Sequence, residues 1–428
     1  MRRVSVENQQ VRHPLTNNCA IPQFMTVTCA ILLVAAGLTG PCIAFENATI
    51  ERIDPQPRQG LSSAVRVTDA NLVHTTQLLG SNDSASGADA QARNVLARLE
   101  TLLDAFHSKR SDVVRLNAYV RNATVRSIFE KHLADWFEAS PPAVSYVATP
   151  LPDSRALVAV DAVFVSRLAD QTKSVTFHRV DALGAPAKLS HVAVLPRGDV
   201  IYISGQAEPG ELDEATRDTL AGLLKTLAHC GLQQRHVVQI KCFVAPMKDV
   251  GVVNEQIAQA FRDAEIPPVV HVEWVAGSRP IEIELIAGAP SHDSSETVTF
   301  STPPWMKSSP VFSRVARIHG NDRIYTSGLY ANKAGDGENQ VRSVFGLLET
   351  ILSRSSSDMK HLAKATYYVS DADSSGQLNR FRPSVYDPLR PPAASKAMVR
   401  DVARKERSIT FDIIATPTRT TGSEDPTP

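Results

Sequence analysis

The sequence predicts an α+β protein built from three tandem modules, each a mixed β-sheet backed by two helices, and three observations carry that reading. The strand signature Val200–Ala207 (VIYISGQA) returns downstream as Arg323–Tyr330 (RIYTSGLY) and, more weakly, upstream as Leu72–Leu78. Alternating strands Asp112–Val120, His236–Val244 and His361–Val369 begin 124 and 125 residues apart. A Pro-Pro turn, at Pro141-Pro142, Pro267-Pro268 and Pro391-Pro392, leads in each copy to a last apolar strand. Repetition held to that register means one supersecondary unit written three times.

In chain order, Arg2, Arg3, Arg12 and His13 precede an uncharged stretch from Phe24 to Phe45 that ends near Cys42-Ile43-Ala44. A basic lead, an apolar centre and small residues describe a secretory signal peptide over residues 1–44, and the folded part is expected to be exported, periplasmic or extracellular. The stretch is also long enough to span a bilayer, so an uncleaved anchor with the modules outside the cytoplasm is the alternative. Residues 45–60, with Pro55, Pro57 and Gly60, read as a linker. The modules are expected at residues 61–167, 175–290 and 297–416, separated by polar joins and followed by a disordered tail over 417–428 that is too poor in apolar residues to fold.

Each signature strand is followed by a helix with apolar residues at spacings of three and four: Val95, Leu96, Leu99, Leu102 and Leu103, then Leu220, Leu223, Leu224 and Leu227, then Val344, Phe345, Leu348, Ile351 and Leu352. Such a stripe covers one face of a sheet. The 45 basic and 45 acidic residues cancel, which leaves no broad cationic surface for a phosphate backbone and excludes nucleic acid as a main partner. Outside the N-terminal segment only Cys230 and Cys242 remain, either two buried thiols or a single bridge, and not a disulfide scaffold. No phosphate-binding glycine loop, metal motif or Ser/His/Asp signature is present, so no cofactor or metal is expected.

The SGQ-type strand, the following helix, the DVV-type strand and the final Ile281–Ile286 (IEIELI) segment together resemble the Rid/YjgF family of reactive-intermediate deaminases, with three modules covering residues 61–416. The resemblance implies a chorismate-mutase-like fold that assembles as a trimer with ligand clefts between subunits. Here the three modules are expected to close as an intrachain pseudo-trimer, a monomer binding a small molecule; three independent beads are the alternative. A sheet with helices on one face leaves its other face to be covered, which favours closure.

The resemblance also implies that a last-strand carboxylate holds the ligand and the hydrolytic water, and Asp161, Glu284 and Asp412 occupy matching positions. It implies an arginine after the Pro-Ala step to pair with a 2-imino acid carboxylate. Val144, Val270 and Ala394 stand there instead. Lys396, His271 and Arg314 are the nearby candidates to replace it, and Ser204 and Ser327, with Thr75 as the weaker third, match the cleft serine. Two functions stay open: hydrolytic deamination of a small imine or enamine of changed specificity, or a non-catalytic binding or scaffold protein that keeps the fold.

Overall fold

The computed structural model describes residues 48–81, 87–168, 173–184, 189–275 and 277–419. The signal or anchor segment and the end of the tail lie outside the described residues.

The first module comprises β1 (Thr49–Gln56), β2 (Leu61–Thr68), β3 (Leu72–Thr75), β4 (Leu78–Leu79), α1 (Ala88–Ala105), β5 (Val113–Val120), α2 (Ala123–Phe137), β6 (Ala143–Ala148) and β7 (Val158–Val165). The second repeats the order as β8 (Thr176–His178), β9 (Val192–Leu195), β10 (Asp199–Gln206), α3 (Leu212–His229), β11 (Val237–Val244), α4 (Val250–Ala260), β12 (Val269–Glu273) and β13 (Ile281–Ala289). The third comprises β14 (Val298–Ser301), β15 (Val315–Ile318), β16 (Arg323–Thr326), α5 (Gly337–Arg354), β17 (Leu362–Val369), α6 (Ala372–Val385), β18 (Ala393–Met398) and β19 (Ile409–Ala415). The α+β class, with tandem modules of mixed sheet backed by two helices, is the one expected.

The helical stripes seal one face of each sheet. Leu99, Leu102 and Leu103 of α1 pack on Leu116 and Val160, and α3 and α5 do the same in their own modules through Leu223 and Leu227 and through Val344 and Leu348. Cys230 and Cys242 are unbridged, with Cys242 inside the second of these cores. Residues 49–56 differ from expectation, since they form a strand and not a linker. Pro57 opens a short turn that returns the chain into β2, and Gly60 closes it at φ 66° against the α2 backbone. A Cβ at Gly60 would stand 2.7 Å from the Ala134 nitrogen, which no side chain tolerates.

The opening hairpin of each module does not fold back on the module's own next strand. β2 pairs antiparallel with β16 of the third module, β9 with β3 of the first, and β15 with β10 of the second. Three sheets result, two of six strands and one of seven because the short β4 also pairs with β7, each with four main strands from one module and a hairpin from another; a single residue pair, Ser62 with Ala143, links two of them. A residue with positive φ at each crossing, Asp69, Gly198 or Gly320, redirects the chain out of one sheet into the next. The junctions are clamped by matching contacts: Arg66 forks onto Asp322, Arg317 donates to Asp199 at 2.7 Å, and Asn71 accepts from the Arg197 amide at 3.0 Å.

The uncovered sheet faces meet in one core that includes Val65 and Leu72 of the first module, Val200 and Tyr202 of the second, and Ala316 and Tyr325 of the third. Beside it lies a cyclic polar interlock. Arg115 on β5 pairs with Asp412 on β19, and Lys364 on β17 pairs with Glu284 on β13 at 2.8 Å. The corresponding residue of β11, Gln239, donates to the Thr75 carbonyl at 3.1 Å and completes the circle. Each group reaches from its own module into another, with side chains no more than 4 % exposed in both ion pairs.

Breaking one link should therefore be costly. Asp412→Asn leaves the Arg115 guanidinium buried without its charge partner and is expected to cost about 3–5 kcal/mol of unfolding free energy. Arg115→Met combined with Asp412→Leu should recover most of it, because the buried charge leaves with its partner. Urea unfolding of the three proteins measures this; an Asp412→Asn variant as stable as the parent would contradict the interlock.

Candidate functional site

Cyclic packing sets the signature strand of each module against the Pro-Pro strand of the next, which makes three junctions. At the first, β3 and the residues after it meet β12: the Gln77 amide and the Thr76 hydroxyl both donate to the Val269 carbonyl, at 3.1 and 3.0 Å. At the second, β10 meets β18. At the third, the residues after β16 meet β6, where the Gly328 amide donates to the Val144 carbonyl at 3.0 Å.

Strand register fixes which residues correspond. The amides of Thr76, Ser204 and Ser327 donate to the His191, Arg314 and Ser63 carbonyls respectively, one step beyond the paired strands. Thr76, not Thr75, is thus the counterpart of the two serines; Thr75 turns its hydroxyl to the Ala162 amide inside its own sheet. On the last strands, Asp161, Glu284 and Asp412 stand opposite Asn117, Lys241 and Thr366. Two residues earlier, on the same strand face, Ala159, Glu282 and Thr410 correspond.

The three last-strand acids of the sequence prediction all lie near the centre of the ring. Asp412 and Glu284 are held by Arg115 and Lys364, Glu284 also accepts from the Ser395 hydroxyl at 2.7 Å, and Asp161 accepts from Asn117 at 3.0 Å and Tyr119 at 2.5 Å. Burial alone would push the Asp412 carboxyl up, but the charges of Arg115, Lys241 and Lys364 outweigh it and hold it below the ordinary range. Each acid is at most 3 % exposed.

Glu282, two residues before Glu284 on the same strand face, lies at the second junction. Its carboxyl group fills the space in front of Gly205, where a Cβ would collide with Oε1. Burial, helped by the Glu284 charge, outweighs the lowering by the Ser395 hydroxyl and the Lys396 charge and leaves this carboxyl pushed up to about 8. Ser204 is buried near this junction with no hydrogen-bond partner for its hydroxyl among the described residues. Lys396 turns its ammonium to Ser375 at 3.0 Å and Asn379 at 3.2 Å on α6. Arg314 is partly exposed, stacks on Phe312 and donates to the Lys307 carbonyl.

Side chains also fill the third junction. Ser327 donates to the Ser62 carbonyl at 2.6 Å and accepts from the Val144 amide at 2.7 Å. Tyr330 spans the gap to the Tyr146 and Val402 carbonyls, and the Arg126 guanidinium stacks on both tyrosine rings.

The first junction is open. A cavity of about 500 Å³ lies between the first two modules, walled by Leu79, Pro152, Leu189, Ile257, Ile266 and Val269. Its polar lining is Thr76, Gln77, Asn254 and His271. The Gln77 side chain is committed to the His271 backbone, donating to its carbonyl at 3.0 Å and accepting from its amide at 3.3 Å. The His271 ring is buried, and its Nε2 has no partner among the described residues. Burial pushes its pKa down to about 4, so at neutral pH it is an uncharged donor or acceptor. By register Ala159 stands in the place of Glu282 in the second junction, and Leu79, which lines the cavity, in the place of Tyr330 in the third.

The family described as Endoribonuclease L-PSP matches residues 180–289 and 306–416, a little more than half of the chain. Among solved structures, a conserved Rid family protein from Yersinia pestis is 25% identical, with 27% of this chain and 98% of that chain covered and a TM-score of 0.24. A YjgF family member from Neisseria meningitidis is 22% identical over 29% of this chain and 97% of that chain, with a TM-score of 0.23. No curated protein matches the chain.

The raised Glu282 carboxyl predicts a pH dependence. Between the ordinary glutamate range and about 8 the folded protein keeps a proton that the unfolded chain has released. This contribution to stability therefore declines as pH rises through that window, by at most about 1.4 kcal/mol per pH unit. Glu282→Gln should flatten the profile and be the more stable protein at pH 8, as read from urea midpoints at pH 5, 6.5 and 8. Parallel profiles would show that Glu282 titrates normally.

Proposed function

Because the chain belongs to the Endoribonuclease L-PSP (Rid/YjgF) family, we propose that it keeps that family's inter-module cleft as a binding site for a small, neutral, largely apolar molecule between its first and second modules. The observation that carries this reading is the cavity of about 500 Å³ with no charged residue among the described residues of its lining, and the Nε2 of His271 in its wall, unpartnered among the described residues. That size and mixture suit a small-molecule site: apolar walls supply affinity, and a few fixed polar groups supply orientation. A carboxylate ligand would be desolvated here without a cation, at a cost of several kcal/mol. Val270 offers nothing in the place where the resemblance implies an arginine, so 2-imino acids are poor substrates. The preferred ligand has an apolar body and one hydrogen-bonding group directed at His271.

A second reading rests on Glu282. A carboxyl that stays protonated near neutral pH could donate to the nitrogen of a neutral imine while water adds to the carbon, with ammonia leaving in a later step. The tight contact with Gly205 leaves little room for substrate in that junction, so binding in the first junction is the preferred function.

The test is a melting-temperature screen of neutral and anionic small molecules, with calorimetry on the hits and an assay with freshly generated 2-aminoacrylate and neutral imines. Neutral apolar compounds should stabilise the protein. Ile257→Trp, which fills the cavity, should abolish binding, and His271→Ala should weaken it about tenfold through loss of one hydrogen bond. Preferential binding of carboxylates, or rapid turnover of 2-aminoacrylate, would overturn the reading.

A further inference from the structure

At the centre of the ring, inward-facing positions of the three signature strands carry an unusual set of polar groups. His74, Tyr202 and Tyr325 correspond by register, opposite Ala193, Ala316 and Val65 respectively. Two residues before Tyr325 on the same strand face is Arg323; Leu72 and Val200 hold the matching places. Arg323 is 0 % exposed and is the largest fully buried side chain of the described protein. Its Nη2 donates to the Gly198 carbonyl at 2.8 Å and its side chain also meets the Tyr202 hydroxyl, whereas Nε and Nη1 have no partner of good geometry among the described residues.

Neighbouring donors are in the same condition. Among the described residues the Nε of Arg115, whose guanidinium lies 5.7 Å from the Tyr325 ring centroid, has no partner, nor do the Tyr325 hydroxyl and both ring nitrogens of His74. Burial pushes the His74 pKa down to about 3, with the Arg115 and Arg323 charges acting in the same direction, so the ring is neutral.

Charge points the same way. Arg115, Lys241 and Lys364 are balanced by Asp161, Glu284 and Asp412, so the interlock is neutral by itself. Arg323 adds a positive charge and has no carboxylate partner among the described residues. An arginine cannot shed its proton to escape this, and an uncompensated buried charge is strongly destabilising. Unmatched donors around an uncompensated cation are the complement of an anion.

We propose that the protein binds one small inorganic anion, of halide size and single charge, in the central core of the ring, held by Arg323 Nε and Nη1 with Arg115, Tyr325 and His74 as further donors. The surrounding side chains, Val65, Leu72, Val200 and Ala316 among them, are buried and apolar, which suits a small ion better than an organic ligand. The anion would neutralise the excess charge where all three modules meet, so it supports assembly and not the cleft. This site is independent of the ligand proposed for the first junction.

The test uses the full chain in chloride-free gluconate buffer, with chloride titrated in at constant ionic strength, together with anomalous diffraction from crystals grown in bromide. Expected are a saturable rise in melting temperature with chloride and a bromide peak within hydrogen-bonding distance of Arg323. Arg323→Leu installs the residue of the matching position in the first module; it should lose both signals while folding normally. Equal melting temperatures in the two salts and no bromide peak in the parent protein would mean that water fills the site and would overturn the proposal. If Arg323→Leu fails to fold, the bromide map of the parent alone decides the matter.

Discussion

Every feature of this molecule depends on an exchange: each module gives its opening hairpin to another module's sheet and takes one in return. A module alone would present the bare edge of its signature strand and the open face of its sheet, an unpaired row of backbone groups beside exposed apolar surface. Passing the hairpin round a circle of three satisfies each edge and brings the open faces together. Because β1 and β2 of the first module close onto β16 of the third, nearly opposite ends of the folded chain are joined by backbone hydrogen bonds. The buried pairs Arg115 with Asp412 and Lys364 with Glu284 then fix which module lies next to which, since a misplaced neighbour would leave a charge buried alone.

Repetition within one chain lets the three junctions differ, as identical subunits could not. One position holds Ala159, Glu282 or Thr410, another holds Leu79, Ala207 or Tyr330, and none of the three retains an arginine on the facing strand. The outcome is one open apolar cavity, one junction occupied by a protonatable carboxyl and one closed by tyrosines. The same freedom placed a lone arginine on the central face of the third module, where Leu72 and Val200 serve in the other two. Threefold repetition of that charge would have been prohibitive in a closed core.

The modules were legible in the sequence because strand alternation, helical stripes and Pro-Pro turns are local signals that recur at fixed spacing. The hairpin exchange was not, since the choice of edge for a strand leaves no trace in its own periodicity. For that reason Thr49–Gln56 reads as a linker in the sequence, although Pro55 and Pro57 shape a hairpin in the fold. The adjacent threonines Thr75 and Thr76 left the register open by one residue, which hydrogen bonding across the junction settles. Alternation put Glu282 and Glu284 on one face, yet only the neighbouring module decides which of them meets the central cations and which the cleft. Lys364 and Ser395, from the third module, make that assignment.

The exchange itself is most directly tested by a cross-link between the paired strands of the first and third modules. Ala64 on β2 lies opposite Thr326 on β16. In the Ala64→Cys, Thr326→Cys protein, mild oxidation should join residues 64 and 326 within a single chain, seen as a fast-migrating monomer on non-reducing gels and confirmed by mass spectrometry of the linked peptides. Bridging between separate chains, or free thiols at both positions in the folded protein, would contradict a ring closed within one chain.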